Sequence, residues 1–258
     1  MLRKPPSLEK LLSSALAGEN RPAAFVLAGH NGSGKSTLWY ERLAPALHLP
    51  LINADRLTLS ILPAPDPQTN QLPEWAKALR DTDQRWQSLS QEAVRTFMGL
   101  AMERRMAFAF ETVFSHRKKL PNGRYESKVD LIKDLQRARY FVVLIFVGLA
   151  SPDLSVLRVE TRKEQGGHSV PLAKLWERFP KTQWAIGRAA SVADMTVMLD
   201  NSRDAKHAFA LARVQRGAEV LFDCRDESKY RSARELRSVA ALWLDKVVGP
   251  VAPRSEKN

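Results

Sequence analysis

The stretch "AGHNGSGKST", residues 28–37, sets Gly29, Gly34, Lys35 and Ser36 in the pattern G-x-x-x-x-G-K-[ST]. Gly29, Gly32 and Gly34 leave room for backbone N–H groups to converge on phosphate oxygens at a helix N-terminus. With Asn31, Ser33 and Thr37 they form the expected nucleotide cradle. In it Lys35 reaches the β- and γ-phosphate oxygens, Ser36 offers its hydroxyl to Mg2+, and Thr37 neighbours the α-phosphate. The expected cofactors are ATP or GTP, and Mg2+. Such a loop does not say where the γ-phosphate goes. An "LSGGQ" string is absent, "SKVD" at 127–130 precedes a helical pattern instead of following a strand, and the apolar run ending near Gly148 lacks the aspartate of a motor ATPase. What remains is a kinase, which needs a base beside the acceptor hydroxyl and arginines around the transferring group.

Both are present. Asp55 in "NADRL" falls just past a short apolar run, at the strand edge where open parallel sheets bind ligands, and is the candidate base; a helix cap is its structural alternative. Glu111, with Thr112 beside it, ends the run "FAF" at the same edge and could bind the acceptor or a Mg2+-bound water; pairing to Arg56 or Arg117 is the alternative. Arg158, Arg162 and Arg178 lie in "RVETRKEQGGHSVPLAKLWERF", which reads as helix, Gly166-Gly167 turn and helix. That is the build of a mobile lid, over about 152–190, that carries arginines onto phosphate. His168 reads as a turn or packing residue.

The elements that must position these groups alternate along the chain. "AAFVLA" precedes the glycine loop and "STLWYERLA" follows it, in the strand, loop and helix order that a P-loop requires. "LPLINADRL", "MAFAFETVF", "YFVVLIFVGL" and "MTVMLDNS" supply four more strands, apolar as strands covered on both faces should be. "HAFALARVQRGAEVLFDC" reads as a closing hairpin turning at Arg216-Gly217. Between the second and third strands a long helix sets Val94, Phe97, Met98 and Ala101 on one face, and a last helix stripes Leu236, Val239, Ala240, Trp243 and Val247. The expected fold class is α/β: a P-loop NTPase fold, its central, mostly parallel sheet flanked by helices, with a helical arginine-bearing lid. An N-terminal helical extension at 1–21, one kinase domain at 22–248 and a disordered tail at 249–258 are the expected divisions.

Charge and composition bound the partners. The chain has 258 residues and a net charge of +12, concentrated at 117–139, 158–188 and 225–237, which asks for an anionic partner. The longest apolar run, "YFVVLIFVGLA", is about half the roughly 20 residues of a membrane span. Pro5, Pro6, Glu9 and Lys10 interrupt any signal-peptide core, and Cys224 alone supports neither a disulfide framework nor a metal site. A cytoplasmic protein without membrane contact is expected.

The succession of "GxNGxGKST", "NADxL", "FxFET", "RV…GGHxVP…ER" and "DNS" from about Phe25 to Asn201 resembles the zeta-toxin family of P-loop kinases, in particular its compact chromosomal branch. The resemblance implies transfer of a γ-phosphate from ATP or GTP to a hydroxyl of UDP-N-acetylglucosamine or a related nucleotide sugar, and a trans-acting antitoxin as partner. It further implies Lys35 and Ser36 on nucleotide and Mg2+, Asp55 as base, Glu111 on the acceptor and a phosphate-binding pair among Arg158, Arg162 and Arg178. Here the glutamate strand continues "ETVFSHRKK", where better-known members have small residues and an arginine, and "LPNGRYESK" reads as an insertion. A polynucleotide or nucleotide kinase, which leaves nucleic acid open as a partner, and a nucleotide-binding regulator without phosphotransfer are the alternatives.

Overall fold

The computed structural model describes residues 7–17, 20–123, 125–165, 170–228, 230 and 233–250. The Gly166-Gly167 turn, His168 and the tail from 251 lie outside these residues. The fold is an α/β sandwich around a seven-stranded sheet in the order β2-β3-β1-β6-β7-β8-β9. The strands are β1 (Ala23–Gly29), β2 (Leu51–Ile52), β3 (Phe108–Thr112), β6 (Phe141–Gly148), β7 (Met195–Asp200), β8 (Ala210–Arg216) and β9 (Glu219–Asp223). From β2 to β7 every neighbouring pair is parallel, and β8 and β9 close the sheet as an antiparallel hairpin. All residues of β1, β6 and β7 are buried, as expected of parallel strands with both faces covered by helices. Outside this sheet, β4 (Arg117–Lys119) and β5 (Tyr125–Ser127) form a small hairpin, whose second strand lies in the stretch read as an insertion.

The helices cover the two faces. α1 (Leu8–Ala17) lays Leu8, Leu12 and Ala15 on the core. After the glycine loop, α2 (Lys35–Leu38) runs through one π turn (Trp39–Leu43) into α3 (Ala44–Leu47). The π turn lets the helix pass Pro45, which lacks an N–H and would clash with the carbonyl one turn back in a regular α-helix. α4 (Ala54–Ser60), α5 (Glu74–Thr82) and α6 (Gln84–Glu103) follow β2. In α6 Met98 and Ala101 are buried as expected, but Phe97 is 50% exposed. At 100° per residue Phe97 lies at the margin of the buried sector, which centres on Val94, Met98 and Ala101. α7 (Lys128–Arg137) begins at Ser127 with a capping box closed by Asp130, so "SKVD" is a helix start. α8 (Pro152–Glu164) and α9 (Leu172–Ala190) lie between β6 and β7, and α10 (Arg234–Val248) ends the described chain, burying Ala240, Trp243, Leu244 and Val247. No helix among the described residues is long and apolar enough to cross a membrane.

One packing contact fixes α10 on the sheet. The Trp243 indole occupies the space where a side chain at Gly148 would begin, within 2.7 Å of an added Cβ, and its Nε1 donates to Asp200 Oδ2 at 2.8 Å. Gly148→Ala should therefore lower the unfolding free energy by about 1–3 kcal/mol, read as a fall in the urea midpoint at unchanged slope.

Candidate active site

The loop between β1 and α2 is built so that its carbonyls are held by side chains. Lys35 Nζ donates to the Gly29 and His30 carbonyls at 3.2 and 3.0 Å, Ser155 Oγ of α8 to the Asn31 carbonyl at 2.7 Å, and Asn201 Nδ2 to the Ser33 carbonyl at 2.9 Å. A peptide unit whose oxygen is tied to one side turns its N–H to the other, the arrangement that an anion-binding loop requires. Gly32 and Gly34 adopt φ of 68° and 89°, in the left-handed region that favours glycine. A side chain at Gly32 would meet Ser155 and Arg158 at 3.0–3.1 Å, so the glycine also lets α8 close against the loop.

Beside the loop stands a carboxylate. Ser36 Oγ donates to Glu111, 3.0 Å from Oε2, Asn53 Nδ2 donates to the same oxygen at 2.7 Å, and Lys35 Nζ lies 3.8 Å from Oε1. These residues come from three neighbouring strand ends, so the sheet order β2-β3-β1 assembles the cluster. Burial pulls the Lys35 ammonium below the usual lysine range; Glu111 and then Asp55 work against that, and Arg162 adds to it. Asp55 and Arg162 thus act on Lys35 through space. Asp55 is exposed in the first turn of α4, whose cap is Asn53, not Asp55: Asn53 Oδ1 accepts the Arg56 N–H. Arg56 lies over the Tyr40 ring.

The remaining expected site residues divide. Arg158 stands against Gly32; burial lowers its guanidinium's pKa and Asp200 partly restores it. Arg162, one turn on, is exposed. Arg178 is half-buried in α9, and none of the described contacts joins it to Lys35, Ser36 or Glu111. Strand alternation turns Thr112 to the face opposite Glu111, where its Oγ1 accepts the Phe114 N–H at 3.4 Å. Thr37 is exposed on α2. The sequence reading assigned nothing to Asn53, Ser155 or Asn201. Asn53 carries a local signal, an Asx residue just before a helix, and Asn201 lies in the "DNS" string; Ser155 acts across the fold and carries none.

His30 is a further surprise inside the loop. Its ring stacks on Phe179 of α9 at 3.8 Å and meets Phe146 edge-on, and both ring nitrogens are buried without a hydrogen-bond partner among the described residues. Burial, and then the Lys35 charge, push its pKa down to about 3, so the ring is neutral.

A mostly parallel sheet, a glycine loop opening a helix after β1, and a lysine, hydroxyl and carboxylate at the carboxyl edge define a nucleotide-binding protein with a P-loop kinase-like fold. The model of the zeta toxin family matches residues 9–215, and the chain belongs to that family. Comparison with curated proteins found no matching sequence. Among solved structures, the chain is similar to AvrRxo1-ORF1:AvrRxo1-ORF2 with sulphate ions, at 15% identity and a TM-score of 0.58 over 96% of this chain and 70% of that one. AvrRxo1-ORF1:-ORF2 with ATP matches at 15% identity and a TM-score of 0.56 over the same shares, 96% and 70%. The PezAT chromosomal toxin-antitoxin system of Streptococcus pneumoniae matches at 12% identity and a TM-score of 0.49, over 97% of this chain and 100% of that one.

The buried imidazole makes stability depend on pH with a definite sign. Its folded pKa of about 3 lies below the ordinary 6.5, so the unfolded chain binds the extra proton between these values. The stability is complete above about pH 6.5 and drains as pH falls toward 3. From pH 7 to 5 the wild type should lose about 2 kcal/mol more than His30→Phe, measured by urea unfolding at both pH values.

Proposed function

We propose that this chain transfers the γ-phosphate of ATP to a hydroxyl of a nucleotide sugar, UDP-N-acetylglucosamine or a close relative, in the cytoplasm, and that an antitoxin protein restrains it in trans. The observation that carries the phosphotransfer is the joining of Lys35, Ser36 and Glu111 at the carboxyl edge of the sheet, with Asp55 within electrostatic reach. Membership of the zeta toxin family supports the acceptor class and the antitoxin. The fold of AvrRxo1-ORF1:-ORF2, described with ATP, supports the choice of donor.

In this reading the loop N–H groups bind the phosphates and Lys35 exchanges its two carbonyl partners for phosphate oxygens. The Ser36 hydroxyl and the Glu111 carboxylate offer the oxygen donors that a hard cation takes, so these residues fit Mg2+, which when bound neutralises charge on the phosphate oxygens. The contact of Glu111 with Ser36 supports a part on the metal side of the nucleotide over one on the acceptor. Asp55, exposed and unencumbered by the Asn53 cap, accepts the proton of the acceptor hydroxyl as its oxygen attacks phosphorus and ADP departs. Arg158 and Arg162 on α8 hold the transferring group through their planar forks, and Arg178 has the lesser part.

Incubation with Mg-ATP and a panel of nucleotide sugars, followed by mass spectrometry, tests the proposal: one acceptor should gain a phosphate, and a panel left unmodified while ATP binds would turn the reading toward a regulator. In the same assay Lys35→Ala should lose both ATP binding and transfer, whereas Asp55→Asn should bind ATP normally and transfer at least about 100-fold more slowly. Near-normal turnover by Asp55→Asn removes it as base.

Glu111→Gln should weaken ATP binding in the presence of Mg2+ and leave Mg2+-free ATP binding unchanged, as read by calorimetry with and without a chelator. An unchanged Mg-ATP affinity with a raised acceptor KM would move Glu111 to the acceptor.

A further inference from the structure

Helix α6 carries a second apolar stripe, of which the fold leaves Leu89, Phe97 and Leu100 exposed and Trp86 and Ala93 half-buried. Ser90, Met98 and Ala101 face the core, whereas Trp86, Leu89, Ala93, Phe97 and Leu100 share a sector roughly 80° wide that borders the core face on one side. Leu89 is 56%, Phe97 50% and Leu100 44% exposed. On the adjoining α4, tied to α6 by the hydrogen bond between the Thr58 and Ser90 hydroxyls, Leu59 is exposed as well, and Ile61 just beyond it. Contiguous apolar surface of this kind marks an interaction site.

The spacing of the stripe identifies the occupant. Its intervals, 3, 4, 4 and 3 residues, read the same in both directions about Ala93. A second α6, antiparallel about a twofold axis at Ala93, sets Trp86 against Leu100 and Leu89 against Phe97. The smallest side chain of the stripe falls on the axis, where the two backbones must come closest. Arg85 and Glu103, both exposed on one rim, then face each other across the seam, twice by symmetry. We propose that α6 is the interface of a symmetric homodimer. The +12 charge of each copy opposes association at long range but is screened beyond about 8 Å in physiological salt, and on the rim the two Arg85–Glu103 pairs flank Glu92, which meets its own copy near the axis. A seam of one helix is smaller than the roughly 800 Å2 per partner of a standard interface, so the dimer forms at micromolar concentration.

Cross-linking tests the geometry directly, because the native Cys224 is wholly buried. Under mild oxidation Ala93→Cys should give a disulfide-linked dimer, while Ser88→Cys, about 140° away around α6, should stay monomeric. In sedimentation equilibrium of the full chain from about 1 to about 200 µM, the average mass should climb from 29.0 kDa toward twice that value, and Phe97→Asp and Leu89→Glu should each hold it at 29.0 kDa. Arg85→Glu and Glu103→Arg should each weaken the dimer at least about threefold and together restore it. A wild type that stays monomeric throughout, a dimer untouched by both apolar-to-acidic changes, or equal cross-linking of the two cysteine variants overturns the proposal. A monomer that instead binds another protein through this stripe overturns it too.

Discussion

A turn that binds phosphate through its backbone must aim successive N–H groups at one point, and the carbonyls on the other side then need partners of their own. An unpaired buried carbonyl costs about as much as a lost hydrogen bond. In this protein the partners arrive from three directions: Lys35 from within the loop, Ser155 from α8 and Asn201 from the end of β7. The rest of the site depends on that arrangement, since it fixes where Lys35 and Ser36 begin α2.

The same contacts bind the surrounding elements to the loop. Ser155 brings α8 to within touching distance of Gly32, and with it Arg158 and Arg162. His30, reaching down from the loop, stacks on Phe179 and thereby seats α9, while Thr182 one turn later donates to the Val113 carbonyl beyond β3. Both helices of the arginine-bearing segment are thus docked where they meet the loop and the sheet edge. The His30 stack leaves two buried nitrogens without a partner among the described residues, a cost borne next to the site, where such departures from complete satisfaction concentrate.

Electrostatics follow from the same geometry. Lys35 is buried, which alone disfavours its charge; Glu111 in contact and Asp55 nearby support it. Glu111 in turn accepts from Ser36 and Asn53, so the carboxylate is held by neutral donors as well as by the lysine.

The sequence by itself determined the sheet and the loop. Unbroken apolar runs marked β1, β6 and β7, the glycine and lysine spacing marked the phosphate cradle, and Arg216-Gly217 marked the closing hairpin, because strand burial, left-handed turns and phosphate binding each demand particular residue types at short range. It determined less about α6, where the helical period ran through Phe97 but could not say on which side the core ended. Tertiary structure alone decided which groups Asn53, Ser155 and Asn201 bind and that Glu111 meets Ser36. Those contacts join residues 58 to 168 positions apart, and only the order β2-β3-β1-β6-β7 of the strand ends brings them together.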